Sequence, residues 1–325
     1  MKGYKGFNPG LICKDKQYQE NTVFEEPEAK ICEKGMHFCE SPFDVLDYYD
    51  LIRSDGTPNE FAEVEALDEP KTDDKKKFCS RKLKIGVKLG LSGFVKACVD
   101  FVLEKTIAET PSENVDSGYY ARIGSSGNSA KIGSSGDYAQ IGSSGDYAQI
   151  GSSGDYARIG SSGDYARIGS SGDYAQIGSS GDYAQIGSSG DSARIGSSGD
   201  YAQIGSSGDS AQIGSSGDYA RIGSSGDSAR IGSSGDYARI GSSGNSARIN
   251  CTGSDSVICC AGHGSVVKAP IGCWITLAEW KYDRAKQRYV PVCVKTEYVD
   301  GEKIKADTPY MLKNGEFVEA KSDGE

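Results

Sequence analysis

From Ala121 to Ile249 the chain repeats one nine-residue unit, Ala-x-Ile-Gly-Ser-Ser-Gly-Asp-Tyr, with little variation. A fixed short period excludes most globular folds, because each unit has to be packed by copies of itself. Isoleucine recurs every nine residues from Ile123 to Ile249, and Ile258 and Val267 keep the spacing after the consensus has decayed. Each unit offers a short strand such as Tyr138-Ala139-Gln140-Ile141, followed by the turn Gly-Ser-Ser-Gly-Asp. Alternation puts Ala and Ile inward, and Tyr and Arg or Gln outward. Such a strand cannot stand alone, so the expected fold is mainly β: a parallel β-solenoid.

The substitutions set the size of a coil. Taking every second unit, the tyrosine position reads Tyr120, Tyr138, Tyr156, Tyr174, then Ser192, Ser210, Ser228, Ser246. The other set reads Ser129, then Tyr147, Tyr165, Tyr183, Tyr201, Tyr219, Tyr237. Two smooth columns imply coils of 18 residues, two nonapeptides each. In the first set the next outward position alternates as Arg122, Gln140, Arg158, Gln176, Arg194, Gln212, Arg230, which keeps like charges apart on rungs ~4.8 Å from one another. About seven coils make a rod of roughly 35 Å.

The flanks divide the remainder. Residues 1–91 read as a small α+β domain, with strands over 61–67 and 81–87 and a short helix capped by Ser41 and Pro42. Residues 92–118 supply a helix, Phe94 to Lys105, expected to cap the open end of the solenoid, and a lead-in. The solenoid occupies 119–268, and 269–325 form a β-rich C-terminal cap with Trp274 and Trp280 closing the core.

The formal net charge is −10, which argues against direct nucleic-acid binding through phosphates. No window approaches the ~18 apolar residues of a membrane span, and no apolar signal core opens the chain, so no membrane association and a cytoplasmic location are expected. The ten cysteines are then expected as free thiols rather than a disulfide framework.

Three constellations carry possible chemistry. The turn aspartates invite comparison with calcium-binding nonapeptide rolls, but Asp follows the second turn glycine directly, as in Gly136-Asp137, so bonding to turn amides is favoured and no cofactor is expected. Cys13, Cys32, His37 and Cys39 form a candidate zinc set, with His263 near Cys259 and Cys260 a second; the irregular spacing favours packing cysteines and a structural histidine. Third, Tyr4-Lys5-Gly6, Gly35-Met36-His37-Phe38 and Ala62-Glu63-Val64-Glu65-Ala66-Leu67 follow in an order that resembles ADP-ribosyltransferase-like folds. That resemblance implies Glu63 or Glu65 as the catalytic acid, with His37 a further candidate, but Lys5 stands where the family has Arg or His to hold its nicotinamide cofactor, and no Ser-Thr-Ser motif is present.

The whole layout, from Gly3-Tyr4-Lys5-Gly6-Phe7-Asn8 and Gly35-Met36-His37-Phe38-Cys39 through short repeats to Trp274-Ile275-Thr276-Leu277-Ala278-Glu279, resembles a family of bacteriophage and prophage repeat proteins. It implies action inside a bacterial host and assigns no activity. The expected function is non-enzymatic: a capped solenoid presenting its Tyr/Arg/Gln face, above all Tyr147, Tyr165, Tyr183, Tyr201, Tyr219 and Tyr237, to a host protein or to a second copy as a homodimer. Two alternatives stand beside it. One is mimicry of DNA, as resemblance to pentapeptide-repeat topoisomerase inhibitors implies, although nine Arg and Lys offset twelve Asp between 119 and 250. The other is the transferase-like domain carried on a solenoid. Ice or crystal binding favours flat Thr- or Ser-rich faces and is disfavoured here.

Overall fold

The computed structural model describes residues 1–106 and 113–320. Two parallel ladders of four-residue strands run the length of the repeat, each strand pairing with the one 18 residues on, as Arg158–Ser161 with Gln176–Ser179 and Gln185–Ser188 with Gln203–Ser206. The chain is therefore a mainly-β solenoid of 18-residue coils with two faces. Each ladder belongs to an eleven-stranded sheet. On one face the parallel rungs run from Arg122–Ser125 to Val266–Lys268, nine strands and about 38 Å at ~4.8 Å per rung. The rod exceeds seven coils because Ile258, Val267 and then Ile275 continue the inward isoleucine column.

The local register differs from the sequence expectation in one respect. The strand is Arg-Ile-Gly-Ser, and tyrosine lies in the turn before it, at φ near +56° from Tyr138 to Tyr237. Alanine, isoleucine and the first serine of each unit point inward, whereas Arg or Gln and the strand glycine point outward. The turn glycine has its own cause: a Cβ on Gly181 would lie 2.1 Å from the carbonyl oxygen of Gly163 one rung below. Aspartate completes the turn by accepting, through Oδ1, the N–H of the aspartate on the next rung, at 2.8 Å for Asp182 and Asp200. The expectation that these carboxylates bond turn amides is met, across coils.

The N-terminal domain is a seven-stranded antiparallel sheet in the order Val23–Glu25, Lys82–Leu89, Glu60–Ala66, Lys2–Phe7, Met36–Cys39, Lys77–Ser80, Lys71–Thr72. Its single-turn helix α1, Pro42–Val45, follows Ser41, whose hydroxyl makes no cap bond. Helix α2, Leu91–Thr106, does not close the end of the solenoid. It lies lengthwise along one face and runs back toward the first coil, with Leu91 over Gly214, Val95 between Gly196 and Gly178, Val99 over Gly178 and Gly160, and Thr106 at Gly142 and Gly124. Geometry explains this: a helical turn rises ~5.4 Å, close to the ~4.8 Å between rungs, so side chains every three or four residues meet successive glycines. Its other side packs on the N-terminal sheet, where Phe94 stacks on Phe61 with ring centroids 3.8 Å apart.

At the far end Trp274–Asp283 joins the open ladder in parallel and turns back into Arg288–Tyr298, while the hairpin of Tyr310–Lys313 and Glu316–Glu319 closes the other ladder. The core is sealed by Ile275, Leu277, Val299, Ile304, Tyr310 and Leu312. The tryptophans do not seal it: Trp274 is 49% exposed beside Tyr298, and Trp280 donates its indole N–H to the Ala261 carbonyl. Residues 299–304 form a turn rather than a further strand of this cap, because Asp300 Oδ1 accepts the N–H groups of Glu302, Lys303 and Ile304. All ten cysteines are free.

Candidate interaction surface

The two faces share one repeat sequence and have different surroundings. On the helix face, the glycine of each strand is covered by α2 or by Ile52. On the open face, a Cβ on Gly151, Gly169, Gly187, Gly205, Gly223 or Gly241 would meet nothing within 4 Å. These glycines floor a straight trough, bordered on one side by Gln149, Arg167, Gln185, Gln203, Arg221 and Arg239. Ser153, Ser171, Ser189, Ser207, Ser225 and Ser243 form its opposite border.

Charge separates the faces further. Arg158, Arg194 and Arg230 on the helix face pair with Asp44, Asp47 and Asp50 of the N-terminal domain. The intervening Gln212 donates to Asp50 Oδ1 at 3.0 Å and accepts the Ile52 N–H at 3.4 Å. The Arg/Gln alternation therefore does more than space charges: it reads out a row of acids at three-residue spacing. Sequence reasoning missed this docking, although Asp44, Asp47, Asp50 and the alternating column were both visible. On the open face, Arg167, Arg221 and Arg239 make no ion pair among the described residues.

The edges between faces carry the tyrosines. Tyr147, Tyr165, Tyr183, Tyr201, Tyr219 and Tyr237 form one column, with consecutive ring centroids 4.8–5.0 Å apart and planes within 11°. Tyr138, Tyr156 and Tyr174 stack likewise on the opposite edge, where Ser192, Ser210, Ser228 and Ser246 then take over. The longer column runs from 55% exposed at Tyr147 to 40% at Tyr183. Each ring covers its neighbours' faces and leaves its rim and hydroxyl to solvent, so the stack both supports itself and presents a rigid strip.

Of the N-terminal catalytic candidates, two line a cavity and two do not. Lys5 and His37 line a cavity of about 740 Å³ with Cys13, Cys32, Cys39, Tyr18 and Tyr49. Lys5 is 5% exposed, and its Nζ donates to the His37 carbonyl at 3.0 Å and to Cys13 Sγ at 3.4 Å; burial lowers its pKa. Burial, with Lys5 and Lys77 nearby, also holds His37 down at about 4, so at neutral pH its Nε2 is a bare acceptor for the Cys32 N–H at 3.0 Å. Tyr49 donates to Cys13 Sγ at 3.0 Å. Glu63 and Glu65 are not in the cavity; they pair with Tyr4 and Lys2 on the sheet face opposite Lys5. The described residues contain no group of three or more His, Cys, Asp or Glu placed to hold a metal ion, and no helix among them is long and apolar enough to cross a membrane.

Fold and surface together define a capped β-solenoid whose exposed Tyr/Arg/Gln-rich surface is suited to protein or self interaction. Residues 1–97 match the family model of a domain of unknown function, DUF7666. No curated protein and no solved structure matches the chain.

Proposed function

We propose that this is a non-enzymatic interaction protein of phage or prophage type, acting in the cytoplasm of a bacterial host. It presents the edge Tyr147, Tyr165, Tyr183, Tyr201, Tyr219 and Tyr237 to a partner protein, a second copy of the chain being the other occupant considered. One observation carries the reading: six rigid, stacked, exposed aromatics in a straight line that no other part of the described chain covers. Tyrosine offers large contact area at low conformational entropy cost, which is why it concentrates where surfaces bind.

The rival readings have less support. A DNA mimic needs carboxylates presented as free charges, whereas Oδ1 of each aspartate from Asp137 to Asp236 is engaged by a backbone N–H of the next coil. A transferase needs Glu63 or Glu65 to face Lys5 and His37, but neither glutamate lines their cavity and both lie on the sheet face opposite Lys5. Replacing Tyr183 and Tyr201 by Ser tests the proposal cleanly, because Ser192 and Ser210 already occupy the same left-handed turn position. Loss of partner capture or self-association is expected with the fold retained, the melting temperature falling only by the lost stacking. Unaltered behaviour in both assays overturns the reading.

A further inference from the structure

The two troughs of the rod are built from one repeat, and one of them is filled. On the helix face the absence of a side chain on glycine is used. A Cβ on Gly160 would come within 3.2 Å of Val99 Cα, and one on Gly196 within 2.6 Å of Val95 Cγ2. On the open face the same glycines are left bare, although strand glycine is intrinsically unfavourable and nothing in the described chain requires it there.

The dimensions agree. Gly151 to Gly241 spans five rung intervals, about 24 Å, the length of a helix of about 16 residues. Helix α2 has 16. The border of the open trough carries Arg167, Arg221 and Arg239 without carboxylate partners among the described residues, whereas their counterparts Arg158, Arg194 and Arg230 each hold an aspartate.

We propose that the open trough over Gly151–Gly241 is a docking groove for an amphipathic α-helix of a partner protein. That helix carries a ridge of valine or alanine at three- and four-residue spacing and acidic side chains, or an adjoining acidic loop, on the arginine side. The chain itself supplies the template: Val95, Val99 and Val102 form the ridge, and Asp44, Asp47 and Asp50 supply the acids. The proposal concerns a different surface from the tyrosine edge and does not depend on it.

The probe is a fluorescein-labelled, helix-stapled peptide of residues 91–106, titrated by anisotropy into the full chain. Saturable binding is expected, weakened at least tenfold by Gly187→Val with Gly205→Val. Circular dichroism and thermal melting of the valine variant should match the wild type, because the added side chains enter open space. Absence of saturable binding, or binding indifferent to the glycine substitutions, overturns the proposal. So does a wild-type dimer that the same substitutions convert to monomer, since the groove's occupant is then a second copy.

Discussion

Arg230 Nη1 donates a 2.8 Å hydrogen bond to Asp50 Oδ2 across 180 positions of sequence. It is the last of three such pairs, and it lies at the most open end of the series: the Arg230 and Asp50 side chains are both about a third or more exposed, whereas Arg158 and Asp44 are largely buried. The same chemistry therefore has unequal worth along the contact. Asp50→Ala should cost under about 1 kcal/mol, as exposed pairs do. Asp44→Ala strands a buried guanidinium and should cost about 3 kcal/mol. Denaturant unfolding of both variants, with hydrogen exchange in α2 as the local readout, checks the order; equal effects would contradict it.

Glycines of the helix face and of the turns should resist substitution for different reasons. Gly160→Val places a side chain into the Val99 backbone and should destabilise by about 2 kcal/mol while lifting α2 from the rod. Gly181→Ala meets the Gly163 carbonyl, which no rotamer can avoid, and should cost about 3 kcal/mol or more by opening the rung. Thermal melts, together with protease cleavage between α2 and the first coil, separate a detached helix from a broken solenoid.

The inward serines Ser143, Ser161, Ser179, Ser197 and Ser215 are buried with no hydrogen-bond partner among the described residues. At Cys251 the same column changes to a softer, less polar side chain. Ser161→Ala and Ser197→Ala should accordingly be neutral or stabilise by up to about 1 kcal/mol. A drop in melting temperature for both would mean that the hydroxyls are bonded after all.

Tyrosine at a left-handed turn position tolerates serine and should not tolerate β-branching. Tyr201→Ser should lose only the stacking with Tyr183 and Tyr219, about 1 kcal/mol. Tyr201→Val adds the steric penalty of positive φ and should cost about 1–2 kcal/mol more. Near-ultraviolet dichroism reports the stack and thermal melting the penalty.

His37 makes the N-terminal domain sensitive to acid. Its folded pKa of about 4 lies below the ordinary 6.5 of an unfolded histidine, so between these values the unfolded chain binds the extra proton. The stabilisation is complete above pH 6.5 and is lost as pH falls toward 4. His37→Gln, which keeps an acceptor for the Cys32 N–H, should flatten stability across that window; an unchanged slope would place the sensitivity elsewhere.

The repeat was legible because its physics is local and periodic. Ile123 to Ile249 fixed the rung spacing, and sorting Tyr and Ser by parity recovered both edge columns and the 18-residue coil. Strand and turn were harder to divide, since alternation alone does not show that tyrosine sits at positive φ. The position of α2 was not legible. An apolar helix before a repeat fits either the end or the flank of a solenoid, and only the match between helical rise and rung spacing selects the flank. The apolar indoles of Trp274 and Trp280 misled for a related reason, because a small hairpin with Tyr310 and Leu312 was enough to seal the core. At the candidate site, spacing drew Glu63 and Glu65 toward Lys5 and His37, and strand parity turned them away from Lys5.

The alternation of Arg and Gln along the helix face also acts as a reading frame. Losing or gaining one nonapeptide within residues 122–232 would exchange the two faces beyond that point, setting tyrosine columns out of line and bringing the wrong partners beneath Asp47 and Asp50. Gaining one 18-residue coil would keep the faces but put glutamine under each later aspartate, whereas losing one between Arg158 and Arg194 would put Gln212 under Asp47 and Arg248 under Asp50. Upstream of Arg230, coils can therefore be gained without mispairing only in blocks of 36 residues. Beyond Arg230, where no aspartate of the series is paired, steps of 18 suffice. A gene built by slippage is thus held to a count set by a domain that contains no repeat.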